Sequence, residues 1–436
     1  MEKWKSRLVN ERNAIDEALS TERRQHHDQR DHRDRNHRSC RGIPIDELLS
    51  DGITNTPPSF VRAILKAASD PEVTSFAGGL PNPISFPQEK LLESMQRVVA
   101  ERGPEAFQYS VTAGVPELRA WIAERYNHRF GTDYTEEDVL VTTGSQQVLD
   151  LLGKVLLDKG DGVIVEKPTY LAAIQAFALQ QPVFREVELT EEGLNIDELN
   201  AALDAGAKMI YLIPNFQNPT GLTYTAENRE QVREVLAGRN IVVVEDDPYG
   251  ELRFEGDSLP YIGGTALPHG VIMGSFSKTV TPGFRMGYLL TKDHDLLRAL
   301  NTAKEAADLH TNVFAQFVVL DYLRHNDLDE HLVKIRELYR TQARAMTDAM
   351  AEFFPAEVSF TKPQGGMFLW ATLPEGLNTM DLFPKALERN VAFVPGEPFY
   401  AQPGAYSTMR LNFTNADADT IRDGIQRLGE VIAAAL

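Results

Sequence analysis

The sequence has almost no cysteine and no long apolar run, and each shortage excludes a class of protein. Cys40 is its single cysteine, which excludes an internal disulfide framework and fits a reducing compartment. No apolar run approaches the length of about 18 residues that a membrane span needs. No apolar segment follows Met1 to mark a secretory signal. We therefore expect a cytoplasmic protein.

Positive charge is also scarce. The 436 residues include 44 Lys and Arg against 63 Asp and Glu, a formal net charge of -19. Such a chain should repel nucleic acid and anionic membranes. A hydrophobic content of 42% is ample for a large core, and the length allows two or three domains. The composition predicts a globular protein without a nucleic-acid or membrane partner.

The first 42 residues differ from the rest of the chain. They are rich in charged residues and histidine, with few apolar residues after Leu19. A segment of this composition cannot bury a core, so we predict a disordered polar extension over residues 1–42. Its histidines are interpreted as solvated rather than as metal ligands.

Apolar strands alternate with helical segments between about residues 139 and 291. The predicted strands are Val139–Thr143, Gly162–Val165, Val183–Leu189, Met209–Ile213, Ile241–Val244, Val271–Ser275 and Phe284–Leu290. Most are continuous apolar runs, which is typical of strands covered on both faces. We predict an α/β fold with a mostly parallel central sheet flanked by helices. Ligands in such sheets bind at the carboxyl ends of the strands.

The last third of the chain has another pattern. A long periodic helix is predicted over Leu328–Phe353, followed by short strands and a last helix over Asp417–Ala435. This pattern predicts a second, smaller α+β domain.

One strand end carries an amine beside anion-binding groups. Lys278 follows the run Val271–Ser275, with Ser275 and Ser277 before it and Arg285 seven residues after it. A lysine can form a Schiff base while hydroxyls and a guanidinium hold a phosphate, so the stretch suits pyridoxal 5'-phosphate. Taken alone, it is equally well an exposed lysine before a turn.

Other polar groups also follow predicted strands. The turn that ends in Ser145 and Gln146 starts a helix, which offers a phosphate site or is only a capped helix. Tyr170 could stack on a flat ring or pack in the core. An amide, a carboxylate and a phenol can bind the polar atoms of a pyridine ring, and such groups are present in Asn218, Asp246 and Tyr249. Each is also an ordinary turn residue when considered alone.

The order of these motifs resembles that of class I/II aminotransferases of fold type I. The residues that carry the resemblance are Gly144-Ser-Gln-Gln147, Asn218-Pro-Thr-Gly221, Asp246 with Tyr249, Ser275-Phe-Ser-Lys278 with Arg285, and Met409-Arg410-Leu-Asn-Phe413. It covers residues 45–436. It is closest to the 2-aminoadipate and kynurenine branch, through phrases such as Ser75–Pro81 and Gly365–Trp370. It implies an N-terminal arm and part of the small domain over residues 43–90, a large cofactor domain over 91–325 and a C-terminal small domain over 326–436.

The resemblance implies a role for each cofactor residue. Lys278 is the Schiff-base lysine and general base, and Asp246 pairs with the pyridine nitrogen. Asn218 and Tyr249 hydrogen-bond the ring oxygen, and Tyr170 stacks on the ring. The phosphate is held by a further set: Ser145, Gln146, Ser275, Ser277 and Arg285.

The resemblance also implies substrate contacts and a partner subunit. Arg410 clamps the substrate α-carboxylate, with Asn218 and the Gly79 loop beside it. Arg62 and Ser59 match the position that receives the distal carboxylate of dicarboxylic substrates. Tyr109 reaches the phosphate of the neighbouring subunit, so a homodimer with shared active sites is expected.

The predicted function is a ping-pong exchange of an amino group between an L-amino acid and a 2-oxo acid. The amino acid is expected to be 2-aminoadipate-like, aromatic or branched, and the acceptor 2-oxoglutarate. Two alternatives stay open at this point. One is the sensor domain of a transcription regulator, and the other is a decarboxylase or β-lyase on the same fold.

Overall fold

The computed structural model describes residues 45–56, 64 and 70–436. The chain divides into two compact units. In the first, which ends at Leu49, the described residues form one 3-10 turn, Ile45–Glu47. The second, Ser50–Leu436, contains the other elements of the described residues. The predicted disordered extension over residues 1–42 lies outside the described residues.

Several helices of the second unit begin after a polar side chain that caps their first turn. In chain order the described helices of this unit are α1 Asp51–Thr54, α2 Gln88–Arg102, α3 Pro116–Phe130, α4 Ser145–Leu156, α5 Leu171–Ala178, α6 Ile196–Asp204, α7 Ala226–Leu236, α8 His294–Asp308, α9 Val313–His325, α10 Leu328–Phe353, α11 Thr379–Glu388 and α12 Ala418–Ala433. Side chains of Asn195, Asp293 and Asp327 accept backbone N–H groups at the starts of α6, α8 and α10. These caps satisfy donors that the first helical turn leaves open.

A seven-stranded sheet forms the centre of the fold. The described strands are β1 Thr74–Ser75, β2 Val139–Thr143, β3 Gly162–Lys167, β4 Val183–Glu188, β5 Met209–Leu212, β6 Val242–Asp246, β7 Gly270–Ser275, β8 Met286–Thr291, β9 Ser359–Phe360, β10 Phe368–Thr372, β11 Val391–Ala392, β12 Val394–Pro395 and β13 Thr408–Asn412. The order in the large sheet is β2-β8-β7-β6-β5-β3-β4. Strand β8 runs antiparallel to β2 and β7, and the other pairs are parallel. The predicted α/β fold with a mostly parallel sheet is therefore confirmed.

The predicted strands differ from the observed ones only at their ends. The fifth predicted strand extends to Asp246 in the structure, so this carboxylate belongs to β6 rather than to the following turn. The seventh begins at Met286 rather than Phe284, because Arg285 has φ +54° and cannot continue a strand. The main strands β3, β5, β6, β7 and β8 are buried along nearly their whole length.

The C-terminal part has its own antiparallel sheet, in the order β12-β13-β10-β9. The long helix α10 spans the predicted residues Leu328–Phe353. It packs against α12, whose buried stripe includes Ile421, Ile425 and Leu428. The small α+β arrangement agrees with the predicted one, while the division at residues 90 and 325 stays a prediction.

Ion pairs connect α3 with α10. Arg125 of α3 donates to Glu251 at 2.9 Å and to Asp329 of α10 at 2.6 Å. Glu251 also accepts from Arg129 at 2.9 Å. Since Arg125, Arg129 and Glu251 are largely buried, these contacts hold the helices in a defined relation to the turn after β6.

None of the helices in the described part of the chain combines the length and apolarity that a membrane crossing requires. The cytoplasmic location expected from the composition stays a prediction.

Candidate active site

The predicted functional residues gather at one edge of the large sheet. Strands β3, β5, β6 and β7 are parallel, so their carboxyl ends lie together. Strand β2 runs in the same direction, since β8 is antiparallel to both β2 and β7. Tyr170, Asn218, Asp246, Ser275 and Ser145 all lie at or just beyond these carboxyl ends. This is the edge where open α/β sheets bind their ligands.

Lys278 lies in the turn after β7. Its Nζ donates a hydrogen bond to the carbonyl of Gly79 at 2.8 Å. Burial, together with the positive charges of Arg410 and Arg285, lowers the pKa of Lys278 to about 8. About a tenth of this amine is therefore neutral at pH 7, far more than in an ordinary lysine, and the neutral form is the one that acts as a nucleophile or a base.

Asp246 is the last residue of β6, and its two carboxylate oxygens differ in their hydrogen bonding. Its Oδ2 accepts a hydrogen bond from the hydroxyl of Tyr211 at 2.6 Å. Its Oδ1 is buried and has no hydrogen-bond partner among the residues that the structure describes. Burial and the charge of Asp247 outweigh the effect of Tyr211 and raise the pKa of Asp246 to about 7. Buried acceptors are normally hydrogen-bonded, so Oδ1 is suited to accept from a bound donor such as a ring N–H.

Asn218 lies between two groups of the site. Its amide Nδ2 is 3.4 Å from the hydroxyl of Tyr249, and its Oδ1 accepts from Nη1 of Arg410 at 2.9 Å. Burial raises the pKa of Tyr249 far above its ordinary value, so the hydroxyl stays protonated. The pair places two hydrogen-bond donors beside each other.

The loop that carries Asn218 is organised by Gln217, which is fully buried. Gln217 Nε2 donates to Glu166 and to the carbonyl of Pro168, both at 2.8 Å. Its Oε1 accepts from the backbone N–H of Thr220 at 2.9 Å and from the Thr220 hydroxyl at 2.7 Å. Every polar group of the Gln217 side chain is thus used to fix this turn, and Asn218 with it.

Arg410 lies on β13 and is 4% exposed. Besides its bond to Asn218, Nη2 donates to the carbonyl of Ala77 at 2.8 Å. Its guanidinium carbon lies 4.3 Å from the ring centre of Phe368 and 5.1 Å from that of Phe399. Burial lowers the pKa of Arg410 to about 10, so it remains charged at neutral pH. Nε has no partner among the described residues, which leaves donors free for an anion.

The start of α4 forms a narrow backbone cradle. Gly144 has φ +71° and precedes Ser145, the first residue of the helix. A Cβ at Gly144 would lie 2.7 Å from Nη2 of Arg285. A Cβ at Gly287 of β8 would lie 2.5 Å from the Gly144 carbonyl carbon and 2.6 Å from the Ser145 nitrogen. Glycine at both positions therefore lets Arg285 and β8 approach the positive end of the helix.

Two serines complete this region. Ser275 Oγ donates to the carbonyl of Met286 at 3.2 Å and accepts from the backbone N–H of Ser277 at 3.1 Å. Arg285 Nη1 donates to the carbonyl of Pro282 at 3.3 Å, the one side-chain hydrogen bond of Arg285 within the described residues, which leaves other guanidinium hydrogens for an anion. Hydroxyls, a guanidinium and a helix start in one place suit a phosphate.

The remaining predicted residues differ in how far they are buried and in whether they contact the site. Tyr170 is half-buried at the start of α5, and burial with the charge of Asp246 raises its pKa. Gln146 is exposed. Tyr109 is 78% exposed and contacts only the edge of the His310 ring among the described aromatic contacts. The structure does not bring Tyr109 to the site of its own chain. Ser59 and Arg62 lie outside the described residues.

Several residues of the site were not singled out from the sequence. They are Tyr211, which bonds Asp246; Gln217 and Glu166, which fix the Asn218 turn; and Phe368, which covers Arg410. Tyr211 lies inside the predicted apolar strand Met209–Ile213, and Glu166 directly follows the predicted strand Gly162–Val165. Two of the four had a local signal, because Gln217 precedes Asn218 and Phe368 lies within Gly365–Trp370.

Comparison with known proteins places this site in a family. Residues 82–428 match the model for aminotransferase class I and II. An aromatic-amino-acid aminotransferase from Thermococcus litoralis is 41% identical, over 89% of this chain and 95% of its own length.

Two solved structures are also similar. A kynurenine aminotransferase from Pyrococcus horikoshii has 39% identity and a TM-score of 0.86, covering 90% of this chain and 98% of its own. An alpha-aminoadipate aminotransferase from Thermus thermophilus, complexed with N-(5'-phosphopyridoxyl)-L-leucine, has 41% identity and a TM-score of 0.84. That match covers 90% of this chain and 100% of its own.

The fold and these similarities define an enzyme of fold type I whose cofactor is pyridoxal 5'-phosphate. The chain belongs to the class I and II aminotransferases. Its site fits that cofactor on three observations. Asp246 Oδ1 is a buried acceptor without a partner among the described residues, Gly144 opens the helix start, and Lys278 has a lowered pKa.

The lowered pKa of Lys278 predicts an unusual reactivity. In cofactor-free protein, competitive labelling with acetic anhydride at increasing pH should modify Lys278 with a midpoint near 8. Below that pH the amine is protonated and unreactive. Lys208 is the control, because its hydrogen bond to Asp161 raises its pKa, and it should label only at much higher pH. Mass spectrometry measures both, and a Lys278 midpoint of about 10.4, as in an ordinary lysine, would contradict the prediction.

Proposed function

We propose that this aminotransferase moves an amino group between an L-amino acid, 2-aminoadipate-like or aromatic, and 2-oxoglutarate. The observation that carries the proposal is the convergence of Lys278, Asp246 and Arg410 on one sheet edge. When bound, pyridoxal 5'-phosphate supplies an aldehyde that takes up the amino group and a ring that accepts electrons. The chain supplies acid–base groups and orientation.

Lys278 is the residue that holds and moves the proton. Its amine, with a pKa near 8, is in the range where a base can both accept and return a proton near neutral pH. In the proposed reaction Nζ takes the proton from the substrate α-carbon. The Gly79 carbonyl, at 2.8 Å, supports the orientation of Nζ.

Three side chains orient the ring in this proposal. Asp246 accepts the ring N–H on Oδ1, the oxygen that has no partner among the described residues. Asn218 and Tyr249 donate to the ring oxygen, a role favoured by their side-by-side arrangement. Tyr170 covers one face of the ring, which its half-buried position at the start of α5 allows.

The phosphate contacts follow from the cradle at α4. In the proposal, backbone N–H groups of Ser145 and Gln146 bind the phosphate at the helix start. The hydroxyls of Ser275 and Ser277 and the guanidinium of Arg285 bind it from the β7 side. Supporting this, Arg285 lies so close to Gly144 that a single added carbon would collide with it.

Substrate recognition is proposed to begin at Arg410. The Arg410 guanidinium lies close to two aromatic rings and its Nε has no partner among the described residues, which suits a planar carboxylate. Asn218 and Gly79 border the same space through their bonds to Arg410 and Lys278. Ser59 and Arg62 are proposed to receive a distal carboxylate. The relatives named for aromatic amino acids, kynurenine and alpha-aminoadipate support a substrate of one of these kinds.

The enzyme is proposed to act as a homodimer with shared sites. An exposed apolar segment supports this: Phe107, Tyr109 and Val111 are 69%, 78% and 54% exposed. Their exposure in one short stretch indicates a surface that another chain covers. Tyr109 then reaches the phosphate of the partner subunit.

Replacing Lys278 with alanine tests the reaction. The variant Lys278→Ala should lower transamination turnover by at least about a thousandfold, because it removes the base at the α-carbon. Chromatographic measurement of glutamate formed from 2-oxoglutarate reports the rate. Lys159→Ala, at a largely exposed lysine, is the matched control and should retain full activity. Substantial turnover by Lys278→Ala would overturn the assignment.

The amino donor is decided by half-reactions. The cofactor-loaded enzyme is mixed with 2-aminoadipate, glutamate, phenylalanine or leucine, and absorbance follows conversion of the cofactor to its amine form. If Arg62 binds the distal carboxylate, Arg62→Ala should weaken the reaction with 2-aminoadipate by about ten- to a hundredfold, the effect of losing a charged hydrogen bond. The reaction with phenylalanine is the internal control and should be nearly unchanged. Equal losses with both substrates would contradict the dicarboxylate role.

The dimer is tested by sedimentation velocity of the full chain. We expect twice the chain mass of 48.7 kDa, and Tyr109→Ala should weaken cofactor retention without changing that mass. Tyr406→Ala, at another exposed tyrosine, is the control for retention. A monomeric mass in the active preparation would refute the shared site.

A further inference from the structure

Asp246 is a buried carboxylate with little direct support. It is 2% exposed. Among the described residues, no Lys, Arg or His forms an ion pair with it. Its neighbour Asp247 carries the same charge. The hydroxyl of Tyr211, at 2.6 Å, is the sole hydrogen-bond donor to Asp246 in the described part of the chain. An unpaired buried anion is costly, so this single donor has a large share in keeping the carboxylate ionised.

Tyr211 is placed for this contact by the sheet. It lies on β5 and pairs in register with Val244 of β6, two residues before Asp246. Residues two apart on a strand point to the same face, so the long side chain of Tyr211 reaches the Asp246 carboxylate along that face. The ring is fully buried and contacts the edge of Phe177, with ring centres 5.9 Å apart. Packing therefore fixes the hydroxyl.

The contact leaves the two carboxylate oxygens with different tasks. Oδ2 is occupied by Tyr211, whereas Oδ1 has no partner among the described residues. We propose that Tyr211 is a positioning residue for the transamination, which holds Asp246 ionised and presents Oδ1 to the ring nitrogen of the cofactor. The inference rests on the proposed role of Asp246 toward that nitrogen.

A structural tyrosine and a positioning tyrosine differ in one measurable respect. If Tyr211 acts through Asp246, its hydroxyl contributes to cofactor binding only when the cofactor has a ring nitrogen. A tyrosine that merely fills the core affects every cofactor analogue alike. The affinity of pyridoxal 5'-phosphate relative to its carbocyclic analogue, in which C–H replaces the ring nitrogen, isolates this contribution because phosphate and lysine contacts cancel in the ratio.

The experiment measures both dissociation constants for cofactor-free protein by equilibrium dialysis. The wild-type protein should prefer the pyridine cofactor, and Tyr211→Phe should reduce the preference about fivefold or more, as expected for losing a hydrogen bond to a charged group. With the natural cofactor, kcat should fall while KM for the amino acid changes less than about twofold, since substrate contacts are untouched.

Tyr224→Phe is the matched control. Tyr224 is also fully buried and donates to a buried carboxylate, Glu166, at 2.7 Å. Glu166 keeps two other donors, Ile213 N and Gln217 Nε2, at 2.9 and 2.8 Å. The control should leave the affinity ratio unchanged. A ratio that falls equally in both variants would overturn the proposal in favour of a general packing effect.

Two further variants separate the possible failures. Asp246→Asn should abolish most of the preference for the pyridine cofactor. If it does and Tyr211→Phe does not, the proposal for Tyr211 is wrong while the role of Asp246 stands. If neither variant changes the ratio, the role of Asp246 fails and this inference fails with it.

A fluorotyrosine at position 211, which keeps the donor, should retain the ratio. A ratio that falls in the fluorotyrosine variant would count against the hydrogen bond, and this result can be read even if Tyr211→Phe does not fold.

Discussion

The site depends on charges held where the protein has replaced water. Asp246, Lys278 and Arg410 lie at one sheet edge, and burial shifts the pKa of each toward its neutral form. Within the described part of the chain, none of these three groups forms an ion pair. Hydrogen bonds stabilise the charged groups instead. Tyr211 donates to Asp246, and Arg410 donates to Asn218 and to the Ala77 carbonyl. The unsatisfied atoms that remain are the ones available to a cofactor and a substrate.

The central sheet explains why these groups meet. Parallel strands bring their carboxyl ends to one edge, so turns that are distant in sequence become neighbours. Antiparallel β8 then crosses between β2 and β7 and, through Gly287, touches the Gly144–Ser145 peptide. The start of α4 is thereby held against the strand that leads to Lys278. Small residues at these crossings allow the close approach.

Much of the fold and of the candidate site could be predicted from the sequence. Continuous apolar runs predicted the strands because burial on both faces imposes such runs. Short polar motifs at their ends predicted Lys278, Asp246, Asn218 and Arg285, because cofactor chemistry demands particular side chains. The errors were confined to strand ends, where backbone geometry such as the positive φ of Arg285 decides. Tyr211 was not found because it lies within a predicted apolar strand, and Glu166 was not found because a single charged residue just after such a strand shows no distinctive pattern.

The amino-acid sequence by itself determined the α/β class, the family and the chemical types present at the site. These follow from local periodicity and from residue types that stand next to each other in the chain. Only the tertiary structure decided which oxygen of Asp246 is bonded by Tyr211, how Gln217 fixes the Asn218 turn, and that Arg410 lies near the rings of Phe368 and Phe399. The physical reason is that contacts of the site join residues up to 333 positions apart, as in the Arg410 bond to the Ala77 carbonyl, and packing sets their distances.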